Sequence, residues 1–361
     1  MGKGLKVSLV TLVAGLVVAG CSGGGSEQAA STSSTGGQAS GEQQELVVVD
    51  WGGASSDAAK KAEYEPFEKK FNVKITVVSP TDVGKLKAMV ESGNVEWDVV
   101  NSDTDVAIRL GSEGLLEKLD YSVINAKDVY PELVSDYSIG QELFYTNIGY
   151  STELFPGDSH PKSWTDFWDT AKFPGPRSLY KTPMSTLEAA LLADGVAPDK
   201  LYPLDVDRAL KSLDKIKKDV KVWWEAGAQP PQLLSTKEVA ASMAWNGRIS
   251  VAKAQGSKID NEFNQALAMS TSWVVPKGTP HKDLAMKFIA YVSEPEPQAE
   301  YSKLIDYAPT NAKALDLLSE DLKARLGQLK KDKENQVILD VNYWAKNFDE
   351  VNEKFNKWLL Q

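Results

Sequence analysis

The sequence predicts an α/β protein of two lobes, built on two mainly parallel sheets flanked by helices. Three observations carry this. Apolar strand-like runs alternate with helically spaced segments from residue 45 onward, the pattern of parallel strands covered on both faces. The stretch from 45 to 361 exceeds the commonest domain size, which favours two lobes over one. Several strand ends close on glycine or small polar residues beside tryptophan, and open parallel sheets hold their ligands at such carboxyl ends.

Before the first strand lie two segments of a different kind. Lys3 and Lys6 form a short basic region, and Val7 to Ala19 carries no charge. That run is shorter than the ~20 residues a bilayer core demands, but it fits the apolar part of a secretion signal over 1–20. It ends in Val18-Ala19-Gly20-Cys21, which resembles the lipobox of bacterial lipoproteins and implies a lipid on Cys21. Cys21 is the only cysteine, so disulfides and metal–thiolate sites are excluded. Residues 21–44 continue without an aromatic or a large aliphatic side chain. Such a stretch buries too little apolar surface to offset its ordering entropy, and reads as a flexible linker with a reach on the order of 25 Å.

The elements then follow in order. A strand is expected over 45–49, ending in Asp50-Trp51-Gly52-Gly53, and a helix over 58–71 with Ala62, Phe67 and Phe71 on one face. Residues 73–78 read as a second strand, 84–90 as a helix and 97–100 as a third strand. Helical spacing continues at 107–110 and 115–119. A second region of the same kind runs from about 149 to 271. There Ser163 is placed to cap a helix that opens on Trp164, and 189–192 and 206–216 look helical. Residues 220–224 and 241–245 read as buried strands, 247–255 as a helix, and 273–276 as a short strand stopped by Pro276. Amphipathic helices are expected at 281–292 and 341–360. Trp164, Trp168 and Trp344 fall at core-facing positions.

The formal charge of −10, with an isoelectric point near 5.0, argues against nucleic acid or an anionic lipid surface as partner. His160 and His281 each sit beside a proline with no second ligand near, so the sequence offers no metal site, and no cofactor is called for. An exported hydrolase would need a nucleophile with its base, or a pair of carboxyl groups. No Gly-x-Ser-x-Gly elbow occurs and histidine is scarce, though paired carboxyl groups remain open.

Five motifs appear in one order: Trp51 after the first strand; Trp97-Asp98-Val99-Val100-Asn101-Ser102; Pro161-Lys162-Ser163-Trp164-Thr165-Asp166-Phe167-Trp168; Met243-Ala244-Trp245-Asn246-Gly247; and Asp306-Tyr307-Ala308-Pro309-Thr310-Asn311. Together they resemble the solute-binding components of bacterial ABC importers, specifically the spermidine/putrescine-binding group and its amino-acid-binding relatives, over about 45–361. The resemblance implies a periplasmic-binding-protein-like fold with a hinged cleft. Lobe 1 would hold 45–147 plus 272–311, and lobe 2 148–271 plus 312–361. It implies a lipid-anchored, monomeric, non-catalytic receptor outside the cell membrane, serving an ABC permease and ATPase complex.

For the ligand, the resemblance places Trp51, Trp245 and Tyr307 as aromatic walls with Ser102 as a polar contact, and Asp103 stands beside it at the third strand end. Where polyamine binders carry two acids, this chain has Lys181 to Leu187, including Met184 and Ser185, with none. At the third acidic place stands Ser270-Thr271-Ser272, just before Trp273. A polyamine without counter-charges in a partly dry cleft binds poorly. Arg248, three residues after Trp245, suits a carboxylate, and Glu225 an ammonium group. These residues favour a small zwitterion, an ω-amino acid or a betaine held by cation–π contact, with a true polyamine as the alternative. Surface roles for Arg248 and Glu225 stay open.

Overall fold

The computed structural model describes residues 43–326 and 336–361. The expected signal segment 1–20, Cys21 and the linker as far as residue 42 lie outside the described residues.

Strand β1 (Gln44–Val49) leads through a glycine turn into α1 (Gly53–Ala59), a π-helical turn over Lys60–Tyr64, and α2 (Glu65–Phe71). There follow β2 (Val73–Val78), α3 (Val83–Ser92), β3 (Val99–Asp103) and α4 (Thr104–Ser112). The long β4 (Ile139–Ser151) precedes α5 (Trp164–Trp168), β5 (Arg177–Tyr180), α6 (Thr186–Ala193) and α7 (Val206–Ile216). Next come β6 (Val220–Trp224), α8 (Gln229–Ser235), β7 (Ala241–Trp245), α9 (Asn246–Ala254) and the longest strand, β8 (Ile259–Val274). The chain finishes with α10 (Lys282–Val292), α11 (Pro295–Leu304), β9 (Ala308–Pro309), α12 (Glu320–Leu326), β10 (Val337–Ile338) and α13 (Val341–Leu359). Among the described residues no helix is long and apolar enough to cross a membrane.

The strands run in the order β2-β1-β3-β8-β4-β7-β5-β6. At one end β1 pairs in parallel with β2 and β3; at the other β5 pairs in parallel with β6 and β7. The two expected sheets are thus the ends of one hydrogen-bonded sheet, joined through antiparallel pairings of β3 with β8, β8 with β4 and β4 with β7. The cause is length. At ~3.3 Å per residue, strands of this size reach about 40–50 Å, enough to belong to both ends. The lobe boundaries drawn near 147 and 271 fall inside these two strands.

Local chemistry explains the element ends. Asp82 caps α3 through Lys85 N–H, and Ser163 caps α5 through Asp166 N–H, as its position predicted. Residues 115–119 are not helical. Gly114, in the left-handed region at φ 72°, ends the turn after α4, and the chain then pairs with the segment beyond β8. Glu117 N–H donates to Val275 O at 2.8 Å and Lys277 N–H to Leu115 O at 2.9 Å. The short strand expected at 273–276 is the last part of β8, ended by Pro276. Trp164 and Trp344 are fully buried, and Trp168 packs against the same core.

Candidate ligand-binding cleft

At the carboxyl ends of β1, β3 and β7, where the sheet's two halves meet, a small cavity of about 10 Å³ is lined by side chains from both. Trp51 follows β1, Asp103 ends β3, and Trp245 ends β7. Ser55 comes from α1, Glu142 and Phe144 from β4, Thr271 from β8, Arg248 from the first turn of α9, and Tyr307 from the loop before β9.

The aromatic walls hold one another. The Trp245 ring stands edge-on to Trp51, Phe144, Tyr180 and Trp224, with centroids 5.4–6.1 Å apart, and Phe144 packs on Tyr307 at 5.5 Å. Such edge-to-face geometry is the favoured one for aromatic pairs. Trp51 is oriented by its indole N–H, which donates to Asn101 Oδ1 at 2.9 Å. Asn246 pins the start of α9, accepting from Tyr145 N–H at 2.9 Å and donating to Asp306 O at 2.6 Å. Two glycines are required by close approach. A Cβ on Gly227 would come within 2.3 Å of the Trp245 ring, and one on Gly247 within 2.5 Å of Tyr307.

Arg248 is buried, not a surface residue. Its Nη1 donates to Gly52 O at 2.5 Å, and its guanidinium lies 5.7 Å from the Trp245 centroid, within cation–π range. Its Nε has no partner among the described residues. Two acids share the cavity with it. Burial pushes the Glu142 carboxyl up to about 7, the neighbouring Arg248 and a hydrogen bond from Tyr301 opposing the rise. Burial, with Asp105 and Glu142 adding repulsion, also holds Asp103 well above the ordinary carboxylate range. No hydrogen bond to the Asp103 side chain occurs among the described residues. Thr271 Oγ1 and Trp245 Nε1 are likewise buried without a partner. The arrangement offers an aromatic box with two carboxyl groups and a guanidinium N–H that is unpaired among the described residues.

Of the residues singled out from sequence, Trp51, Asp103, Trp245, Arg248, Thr271 and Tyr307 meet in this cavity. Ser102 is buried beside Ser272 in the β3–β8 ladder, and Trp273 donates its indole N–H to Gln141 behind the cavity. Met184 lies in the core, and the Ser185 hydroxyl donates to Met269 Sδ at 3.1 Å. Glu225 is exposed and pairs with Lys181, and Glu142 and Asp103 are the acids that line the cavity with Arg248. Sequence reasoning missed Ser55, Glu142 and Phe144. For Glu142 a signal existed: it is the single charge in the thirteen residues of β4.

A two-lobed α/β sheet with an aromatic, charged cleft at its strand ends defines a solute receptor. The chain belongs to the family of bacterial extracellular solute-binding proteins, whose model matches residues 62–333. It is the solute-binding component of an ABC importer and not an enzyme. It is 37% identical over 309 residues to the gamma-aminobutyric acid-binding protein of Pseudomonas aeruginosa, covering 83% of this chain and 87% of that one. A solved GABA-receptor structure shares 43% identity at a TM-score of 0.79, covering 88% of this chain and 98% of its own. A binding protein from A. tumefaciens R10, solved with agropinic acid, shares 36% identity at a TM-score of 0.83, covering 89% and 100%. The spermidine/putrescine-binding periplasmic protein of Escherichia coli is more distant, at 24% identity over 272 residues, 72% of this chain and 76% of that one.

Proposed function

We propose that the protein captures a small ω-amino acid of the γ-aminobutyrate class and delivers it to an ABC permease and ATPase complex. One observation carries this reading. A buried guanidinium with an unused N–H shares one aromatic cavity with the buried carboxyl group of Glu142 and the half-buried one of Asp103. A zwitterion satisfies both signs at once, its carboxylate on Arg248 and its ammonium on Glu142 and Asp103. A dicationic polyamine would meet Arg248 as a like charge. The gamma-aminobutyric acid-binding relative supports the same assignment.

The lobes are taken as 45–147 plus 272–311 and 148–271 plus 312–361. On that division the Arg248–Gly52 bond crosses the cleft, so a ligand held by Arg248 favours closure. Cys21 carries the lipid, and the linker after it keeps a monomeric receptor near its permease, raising its effective concentration there. Loss of the protein from the membrane fraction in a Cys21→Ala strain tests the anchor.

Titration calorimetry with γ-aminobutyrate, glycine betaine, putrescine and spermidine tests the ligand. γ-Aminobutyrate is expected to bind tightest. Arg248→Ala should weaken it about a hundredfold, the usual range for truncating one partner of a buried charge pair. Arg248→Lys should not restore it, because an ammonium lacks the planar fork. A polyamine that binds as tightly, or binding indifferent to Arg248→Ala, overturns the reading.

A further inference from the structure

Next to the aromatic cavity lies a second one of about 10 Å³, the size of one water or one ammonium head, which shares Ser55 and Glu142 with it. Three carboxyl groups, Asp50, Glu63 and Glu142, line this annex, and no lysine or arginine does. Asp50 is satisfied by the Gly52 N–H at 2.9 Å and by the hydroxyls of Ser79 and Tyr64 at 2.5 and 3.1 Å. Glu63 is not. It is fully buried; its Oε1 accepts from Gln141 Nε2 at 2.6 Å, but its Oε2 has no partner among the described residues. The π-helical turn over Lys60–Tyr64 brings Ala62, Glu63 and Tyr64 inward in succession, and turns of this kind recur at functional sites. A buried carboxyl oxygen without a donor is costly to maintain. Its chemical complement is an ammonium group.

We propose that the annex is a subsite for the ammonium head of ω-amino acids longer than γ-aminobutyrate, whose carboxylate stays on Arg248. This rests on the zwitterion reading above and extends it. The head of a four-carbon chain stops at Glu142, on the rim between the two cavities, while a longer chain passes Ser55 and reaches Glu63. Burial, only partly opposed by Gln141, holds the Glu63 carboxyl well above its ordinary range. An arriving ammonium reverses that, so the longer ligands draw a proton from Glu63, a group that the shorter one does not reach.

The test is calorimetry of the whole protein with γ-aminobutyrate, δ-aminovalerate and ε-aminocaproate, repeated in buffers of different ionisation enthalpy. The wild type is expected to bind all three, with a proton release on ε-aminocaproate binding that Glu63→Gln lowers while that of γ-aminobutyrate is unchanged. Glu63→Gln should weaken ε-aminocaproate by about tenfold or more and leave γ-aminobutyrate within about twofold. Ala59→Val, which narrows the annex from α1 without touching its charges, should discriminate the same way and decides the matter if the Glu63 variant does not fold. Equal weakening of long and short ligands by both variants, or of neither, overturns the proposal and leaves the annex to ordered water. So does a wild type that binds γ-aminobutyrate and rejects ε-aminocaproate. A wild type that binds none of the three overturns the zwitterion reading itself, and the annex with it.

Discussion

At the scale of single residues, the cleft's charges are set by what is buried beside them. Glu142 is almost fully covered, and its carboxyl sits at about 7 against an ordinary value of 4.5. An ω-amino acid does not titrate at either end between pH 5.5 and 7.5. Any pH dependence of binding in that window therefore belongs to the site. Below pH 7 Glu142 takes up a proton and the ammonium loses its counter-charge; Asp103, also raised, adds to the effect. Affinity for γ-aminobutyrate should fall roughly twentyfold from pH 7.5 to 5.5, as expected for one proton and a pKa near 7. Glu142→Gln should bind more weakly at pH 7.5 with a shallower pH slope. A variant slope equal to that of the wild type would assign the titration elsewhere.

At the scale of elements, another buried acid links α6 to α13. Glu188 accepts from Tyr202 Oη at 2.6 Å and Trp344 Nε1 at 2.7 Å, and burial pushes its carboxyl up to about 7. The folded state holds this proton up to pH 7, whereas the unfolded chain releases it near 4.5. The stabilising contribution is therefore full below about 4.5 and is lost as pH rises towards 7, by about 3 kcal/mol at most. Denaturant titrations from pH 4.5 to 8 should show a flatter stability profile in Glu188→Gln than in the wild type; parallel profiles would count against it. The same strand-and-helix scale shows what the sequence could reveal. β2, β6 and β7 fall on the residues expected, because each is a short apolar run bounded by turn formers or helix caps. β4 escaped notice because twelve of its thirteen residues are buried, polar Gln141, Glu142, Thr146 and Asn147 among them. With both faces covered, the alternation that marks a strand vanishes, and Glu142 and Phe144 vanished with it. Trp51, Trp245 and Arg248 were legible because they stand where strands stop.

At the scale of the whole molecule, α13 touches both halves of the sheet's helical cover, packing against α4 and α7. On the α7 side, Trp358 Nε1 donates to Asp214 at 2.7 Å and Lys217 Nζ to Trp358 O at 2.9 Å. On the α4 side, Arg109 reaches Asp349 at 2.7 Å and covers the Phe348 ring at 5.0 Å. These two contacts differ in worth. The Asp349 side chain is 78% exposed and that of Arg109 only 11%. The ion pair is therefore solvent-screened and contributes little, while the guanidinium over Phe348 is largely dry and contributes more. If α13 straps the lobes together, losing the stacked contact populates an open form, and apparent affinity falls by the fraction of molecules that leave the closed one. Arg109→Ala should then weaken γ-aminobutyrate binding about tenfold, although Arg109 does not line the cavity. Small-angle scattering should show a larger radius of gyration without ligand, restored at saturation. Asp349→Asn should change neither by more than about twofold, given the screening of the pair. An unchanged radius in Arg109→Ala would mean that α13 rides on one lobe alone, and equal effects of the two variants would place the energy in the ion pair after all.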